Sequence, residues 1–259
     1  MKHLTPILAL ILSVTLVASV NAATVTGTIT FDGTEEYTEV PARKLLDIKT
    51  NEQHCLTTAK GAKSEELVVS KGKGIQNVVV YVRVSGHKAT PLTENPILDQ
   101  KDCRYLPHVI AVPTGTTVHL TSDDPVAHNV NAHATKNEAK NILISKKGIK
   151  FDYTLTKAEA IKLTCDVHSW MSGYIVAVDS NFYTVTGQKD EKGKFIHPDD
   201  YEKSDDTGKY TIKDVAAGRA RVVVWHEKLG TANKTVTVPE TGELKVDFKS
   251  SEFKKPKTK

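Results

Sequence analysis

Short runs in which apolar and polar residues alternate, set apart by turn residues, recur along most of the chain. In residues 24–31, Val25, Ile29 and Phe31 fall on one side of an extended segment. Residues 75–84 form a valine-rich run, and 116–120, 161–165, 173–178 and 219–225 repeat the strand signature. Asp32-Gly33, Thr114-Gly115, Lys147-Gly148, Thr207-Gly208 and Thr241-Gly242 supply the turns between them. Helix is expected only as short turns, over 136–144 and 157–161. The pattern predicts an all-β protein, a sandwich or a barrel.

The beginning of the chain breaks this pattern. Lys2 precedes an apolar run over 4–20 that closes on Val20-Asn21-Ala22, small residues suited to signal-peptidase cleavage. Residues 1–22 therefore read as a secretory leader, and the remainder as an exported, periplasmic protein. No later stretch approaches the roughly 20 apolar residues of a transmembrane helix. A boundary is expected near 179–181, dividing 23–180, which holds all three cysteines, from 181–249, which holds none. Residues 188–206 read as a long exposed loop, and 250–259 as a basic tail, either solvated or a docking arm for an acidic partner. The formal net charge of +4 is mild and makes no case for nucleic acid.

An odd number of cysteines in an exported chain leaves one thiol without an internal partner, and such a thiol oxidises unless something occupies it. For Cys55 and Cys103 the preferred reading is a disulfide, worth up to about 4 kcal/mol in the chain-entropy account. The alternative is a second metal site using Cys103 with His108, and His54 beside Cys55.

Cys165 then carries the chemistry, in Cys165-Asp166-Val167-His168-Ser169-Trp170-Met171. This string holds the only methionine besides Met1. A thiolate holds Cu(I) and bonds covalently to Cu(II), imidazole suits both states, and a thioether is a weak axial ligand. The competing reading is a buried cysteine ending a strand before an ordinary surface loop. Three ligands within one short loop need a second imidazole from elsewhere. His128 is the candidate, after the strand at 116–120 and the turn at Pro125, with Asn129 placed to bond across to the cysteine loop. His119, His133 and His226 read as sheet or surface histidines.

Pro113-x-Gly115-x-x-Val118 leading into His128-Asn129, then Cys165-x2-His168-x2-Met171, resembles a cupredoxin, a small blue copper protein. The ligand loop is most similar to that of amicyanin. The resemblance covers about residues 109–178. It implies a cupredoxin-like Greek-key β-sandwich and a type 1 copper site, with His128, Cys165 and His168 equatorial and Met171 axial. It also implies electron exchange through the solvent-facing edge of His168, with Trp170 in an apolar docking patch or else packed in the core. Residues 206–218 and 222–225 resemble a carboxypeptidase regulatory-like, transthyretin-like sandwich, a smaller second domain over 181–249. The combination is similar to larger bacterial methylamine-utilisation and plastocyanin-domain proteins.

The sequence thus points to a one-electron copper carrier, not an enzyme, since no nucleophile elbow, phosphate loop or zinc-protease helix appears. Its partner would be a redox protein such as a c-type cytochrome or a periplasmic oxidoreductase. The rival readings are a copper carrier or store, and an adhesion or scaffold module whose metal is incidental.

Overall fold

The computed structural model of the chain describes residues 22–190 and 192–255. Two strands come first, β1 (Ala22–Thr30) and β2 (Val79–Val84). A run of nine follows: β3 (Ile97–Lys101), β4 (Arg104–Leu106), β5 (Val109–Pro113), β6 (Thr117–Leu120), β7 (His128–His133), β8 (Lys140–Ile144), β9 (Phe151–Thr154), β10 (Glu159–Thr164) and β11 (Ser172–Val178). The chain then forms β12 (Tyr183–Val185), β13 (Lys209–Ala216), β14 (Gly218–His226), β15 (Gly230–Val238), β16 (Gly242–Lys245) and β17 (Phe248–Lys249). Among the described residues, helix is confined to α1 (Gln53–Thr58), α2 (Pro198–Lys203) and a 3-10 turn at Ser250–Glu252.

The strands build four sheets. β4-β3-β6-β9 and β5-β11-β10-β7-β8 face each other across a core that includes Leu98, Val118, Leu120, Ile161, Leu163 and Ile175. β13-β1-β16, with β17 also on β1, faces β12-β2-β14-β15 across a second core of Val25, Ile29, Val80, Val82, Val222 and Phe248. The chain is all-β, as its period-2 pattern predicts.

The division expected at residue 180 does not describe these sheets. β1 runs antiparallel to β13 and parallel to β16, and β2 pairs with both β12 and β14. Residues 181–249 are therefore not a self-contained sandwich, because its two early strands come from the other end of the chain. The central run β3–β11 is an insertion between β2 and β12. These two host strands lie side by side, so the insertion leaves and returns at one place.

Burial on both faces explains the apolar runs that do not alternate. In β11, Ile175 and Ala177 enter the insertion core, while Val176 and Val178 join Val79, Val109 and Ala111 in a third cluster between the two units. β5 is buried at every position and pairs with β11 in parallel. A strand covered on both sides has no polar face to show. Tyr174 and Trp225 close this seam with ring centroids 5.1 Å apart.

Several local expectations are corrected. Residues 140–144 and 159–164 are β8 and β10, because pairing with β7 outweighs the helix preference of their Lys, Glu and Ala residues. The stretch 188–206 contains α2, started by Pro198 and by the His197 side chain, which accepts a hydrogen bond from the Asp199 N–H. The tail is tied down to Lys255: the Ser250 hydroxyl donates to Gly33 O at 2.6 Å, and the Lys254 N–H to Thr231 O at 2.8 Å. Residues 256–259 lie outside the described residues, as does the expected leader apart from Ala22, which opens β1. No described helix is long and apolar enough to cross a membrane.

Candidate metal centre

Neighbouring strands bring the first two donors together. β10 lies antiparallel to β7, with Thr164 opposite Asn131. Cys165, one residue beyond β10, thus meets the start of β7, where His128 stands. Alternation sends Ile161, Leu163 and Cys165 inward, and all three are buried. The 165–171 loop is closed by its own backbone: the Met171 N–H donates to His168 O at 2.9 Å, and the Cys165 N–H to Met171 O at 3.3 Å. This tight turn carries His168 back over the thiol.

Donor atoms of His128, Cys165 and His168 all lie within 4.8 Å of one another. The two Nδ1 atoms are 2.9 Å apart, and Cys165 Sγ is 4.0 Å from His168 Nδ1. His128 and His168 are wholly buried, and Cys165 and Met171 nearly so. Met171 belongs to the same core and to the same backbone-closed loop.

Asp124 organises this cluster, a role the sequence reading did not assign. Its Oδ2 lies 2.8 Å from His128 Nε2 and its Oδ1 2.9 Å from His54 Nε2. It also accepts the N–H groups of Asp102 and Cys103, each at 2.8 Å. Burial pushes this carboxyl up, but the four donors outweigh it and hold it at about 2. A carboxylate at Nε2 fixes the imidazole so that Nδ1 faces the cluster. Burial likewise works against charge on His128, yet Asp124 and the Cys165 sulfur raise it to about 9. The His168 ring is shifted down by burial and by the charge of His128. Burial alone would raise the Cys165 thiol, but the His128 ring and the backbone N–H groups of Asn129, His168 and Val167 bring it below its ordinary value. The metal-free site favours a thiolate beside the charged ring of His128 and the neutral ring of His168.

Asn129 joins the two ligand segments as expected. Its Oδ1 accepts the Asp166 N–H at 2.7 Å, and its Nδ2 donates to Asp166 Oδ2 at 2.9 Å. Asn131 and Asn141 also donate to that carboxylate, at 3.0 and 2.7 Å.

At the outer side of the cluster one expectation fails and one open alternative is decided. His168 presents no edge to solvent, because α1 lies over it with Cys55 Sγ 3.8 Å from His168 Nε2. Trp170 is a packed residue, not part of an exposed patch: it is buried, its ring lies 4.9 Å from that of His168, and its Nε1–H donates to Cys103 O at 3.1 Å. Cys55 and Cys103 form the expected disulfide across 48 residues. His108 is no partner of Cys103, since its ring pairs with Glu227 of the host unit. His119 and His133 bond to Asp152 and Thr164 on the outside of the sheets.

No family model matches this chain, and no curated protein matches it. Among solved structures, a purple cupredoxin from Nitrosopumilus maritimus is similar at 22% identity over 32% of this chain and 100% of its own, with a TM-score of 0.29. Amicyanin from Paracoccus versutus is 18% identical over 38% of this chain and 98% of its own, with a TM-score of 0.30. A copper-containing nitrite reductase from Thermus scotoductus is 21% identical over 37% of this chain, which spans only 25% of that enzyme, with a TM-score of 0.32. What the sheets and the cluster define is an all-β protein with a buried His–Cys–His set of metal donors.

Proposed function

We propose that His128, Cys165 and His168 hold one copper ion, with Met171 as a weak fourth ligand, and that the chain is an exported one-electron carrier and not an enzyme. The observation that carries this reading is the meeting of two Nδ1 atoms at 2.9 Å beside a buried thiol whose ionisation the surrounding groups favour. The donor set fits copper in both oxidation states, since it combines a soft sulfur with two imidazoles. Copper bound there supplies a one-electron couple. Asp124 and Asn129 hold the ligand segments in one arrangement, and the closed core excludes water from them. The partner we propose is a c-type cytochrome or an exported oxidoreductase.

One observation favours a second reading, a copper carrier or store: the buried edge of His168 gives a docked redox protein no direct access to a ligand. The two readings separate on exchange kinetics. An electron carrier loaded with copper reduces reversibly at a moderate potential and exchanges rapidly with a cytochrome, whereas a store holds its ion and exchanges slowly.

The metal assignment has its own test. Loading with Cu(II) is expected to give an intense blue or green charge-transfer band that Cys165→Ser abolishes. A colourless Cu(II) adduct of the unaltered chain overturns the assignment.

A further inference from the structure

The cover over His168 has ligand chemistry of its own. Donor atoms of His54, Cys103 and Asp124 lie within 4.8 Å of one another, and Cys55 is bonded to Cys103. The two clusters stand back to back. Asp124 reaches His54 with one oxygen and His128 with the other, and His168 has Nδ1 on the first cluster and Nε2 against Cys55 Sγ.

The backbone at Cys103 is unusual. Asp102 and Cys103 make the two-residue turn between β3 and β4 with φ of 53° and 54°. Such turns favour Asn or Gly, and a cysteine there costs on the order of 1 kcal/mol or more. Asp124 offsets the cost by accepting both N–H groups of the turn. A side chain held at a disfavoured position beside a histidine, a carboxylate and a second cysteine points to function.

We propose that reduction of the Cys55–Cys103 disulfide creates a second copper site, selective for Cu(I), from the two sulfurs and the imidazole of His54. A dithiol reductant supplies two electrons: the S–S bond breaks, two thiols form with two protons, and the reductant departs as its own disulfide. Binding of Cu(I) then displaces thiol protons to solvent. Two thiolates and one imidazole make a soft, three-donor set, which suits Cu(I). Zinc demands a fourth, tetrahedral ligand, and both oxygens of Asp124 are already engaged by two donors each. Both sulfurs are buried, so the reductant enters when α1 lifts. That helix has six residues and no side-chain cap, and of residues 31–64 outside it only the Leu45–Lys63 bridge adds regular pairing. Local opening of so short an element is easy. The inference stands on its own ligands, whether or not the first site carries electrons.

The test counts Cu(I) bound by the full chain against a chromophoric Cu(I) chelator, before and after reduction with a phosphine. One equivalent is expected for the disulfide form and two for the dithiol form. Cys55→Ser with Cys103→Ser returns the count to one, and His54→Ala, which keeps the disulfide and so a folding control, weakens the second equivalent at least about tenfold. An unchanged count on reduction overturns the proposal, as does a second equivalent that survives the double replacement. Uptake of Zn(II) in place of Cu(I) by the reduced chain overturns the selectivity. The charge-transfer band of the oxidised, Cu(II)-loaded chain reports the first site separately, so failure there is distinguishable from failure here.

Discussion

At the scale of single residues, the candidate site is governed by Asp124 as much as by its donors. Asn at this position keeps the shape but loses the charge and one of the two acceptor oxygens that serve His128, His54 and the 102–103 turn. Asp124→Asn is therefore expected to lower copper affinity by about 10–100-fold, read by competition titration, with the circular dichroism of the metal-free chain unchanged. An unaltered affinity would show that the β7 backbone alone aims the ring. The ligand candidates themselves were legible in the sequence, because a thiol, an imidazole and a thioether within one short loop form an improbable combination. Asp124 was visible only as an acidic residue four positions before His128. Cys55 gave no sign that it lies over His168, since a contact across 113 residues leaves no local pattern.

Among the elements, strands with one wet face were legible and strands with none were ambiguous. β1 alternates cleanly, whereas β5 and β11 carry apolar runs with no polar face, and β5 was not picked out from the sequence. The segments misread as helical turns, now β8 and β10, carry helix formers whose preference is small beside a full ladder of sheet hydrogen bonds. The turn at Thr207-Gly208 was recognised, but its tight fit was not. Gly208 has a φ of +70°, and a Cβ there would meet Ile29 O at 2.0 Å. Its carbonyl also accepts the Ile29 N–H at 2.9 Å. Gly208→Ala forces β13 away from β1 and is expected to destabilise the fold by about 1–3 kcal/mol, measured as a lower urea midpoint. An unchanged midpoint would mean that the turn shifts freely.

For the whole molecule, the seam between the units joins them electrostatically as well as by packing. Burial pushes the His108 ring down, but Glu227 against it and Glu65 nearby lift it to about 9. His226, one residue from Glu227, is pushed down to about 4 by burial, although Glu227 opposes the shift. Between pH 6.5 and 9 the folded chain holds a proton at His108 that the unfolded chain releases, so stability falls as pH rises through this window. Between pH 4 and 6.5 the unfolded chain holds a proton that buried His226 refuses, so stability falls as pH is lowered. The urea midpoint should peak near pH 6.5. The share of His108 in the alkaline limb is worth on the order of 3 kcal/mol at most. His128, also raised to about 9, adds to this limb in the metal-free chain. Glu227→Gln should therefore make the limb shallower without abolishing it, and a limb of unchanged slope would dissociate it from the His108 pair.

The side-by-side position of β2 and β12 has a consequence for the order in which the chain folds as it emerges N-terminus first. When residue 178 has emerged, β3–β11 are all available, and their core can condense. β1 must wait for β13 and β16, about two hundred residues downstream, before it gains a neighbour. The part that carries the His–Cys–His cluster thus matures first and brings together the two ends from which it grew, shortening the search that would otherwise slow closure of the outer sandwich.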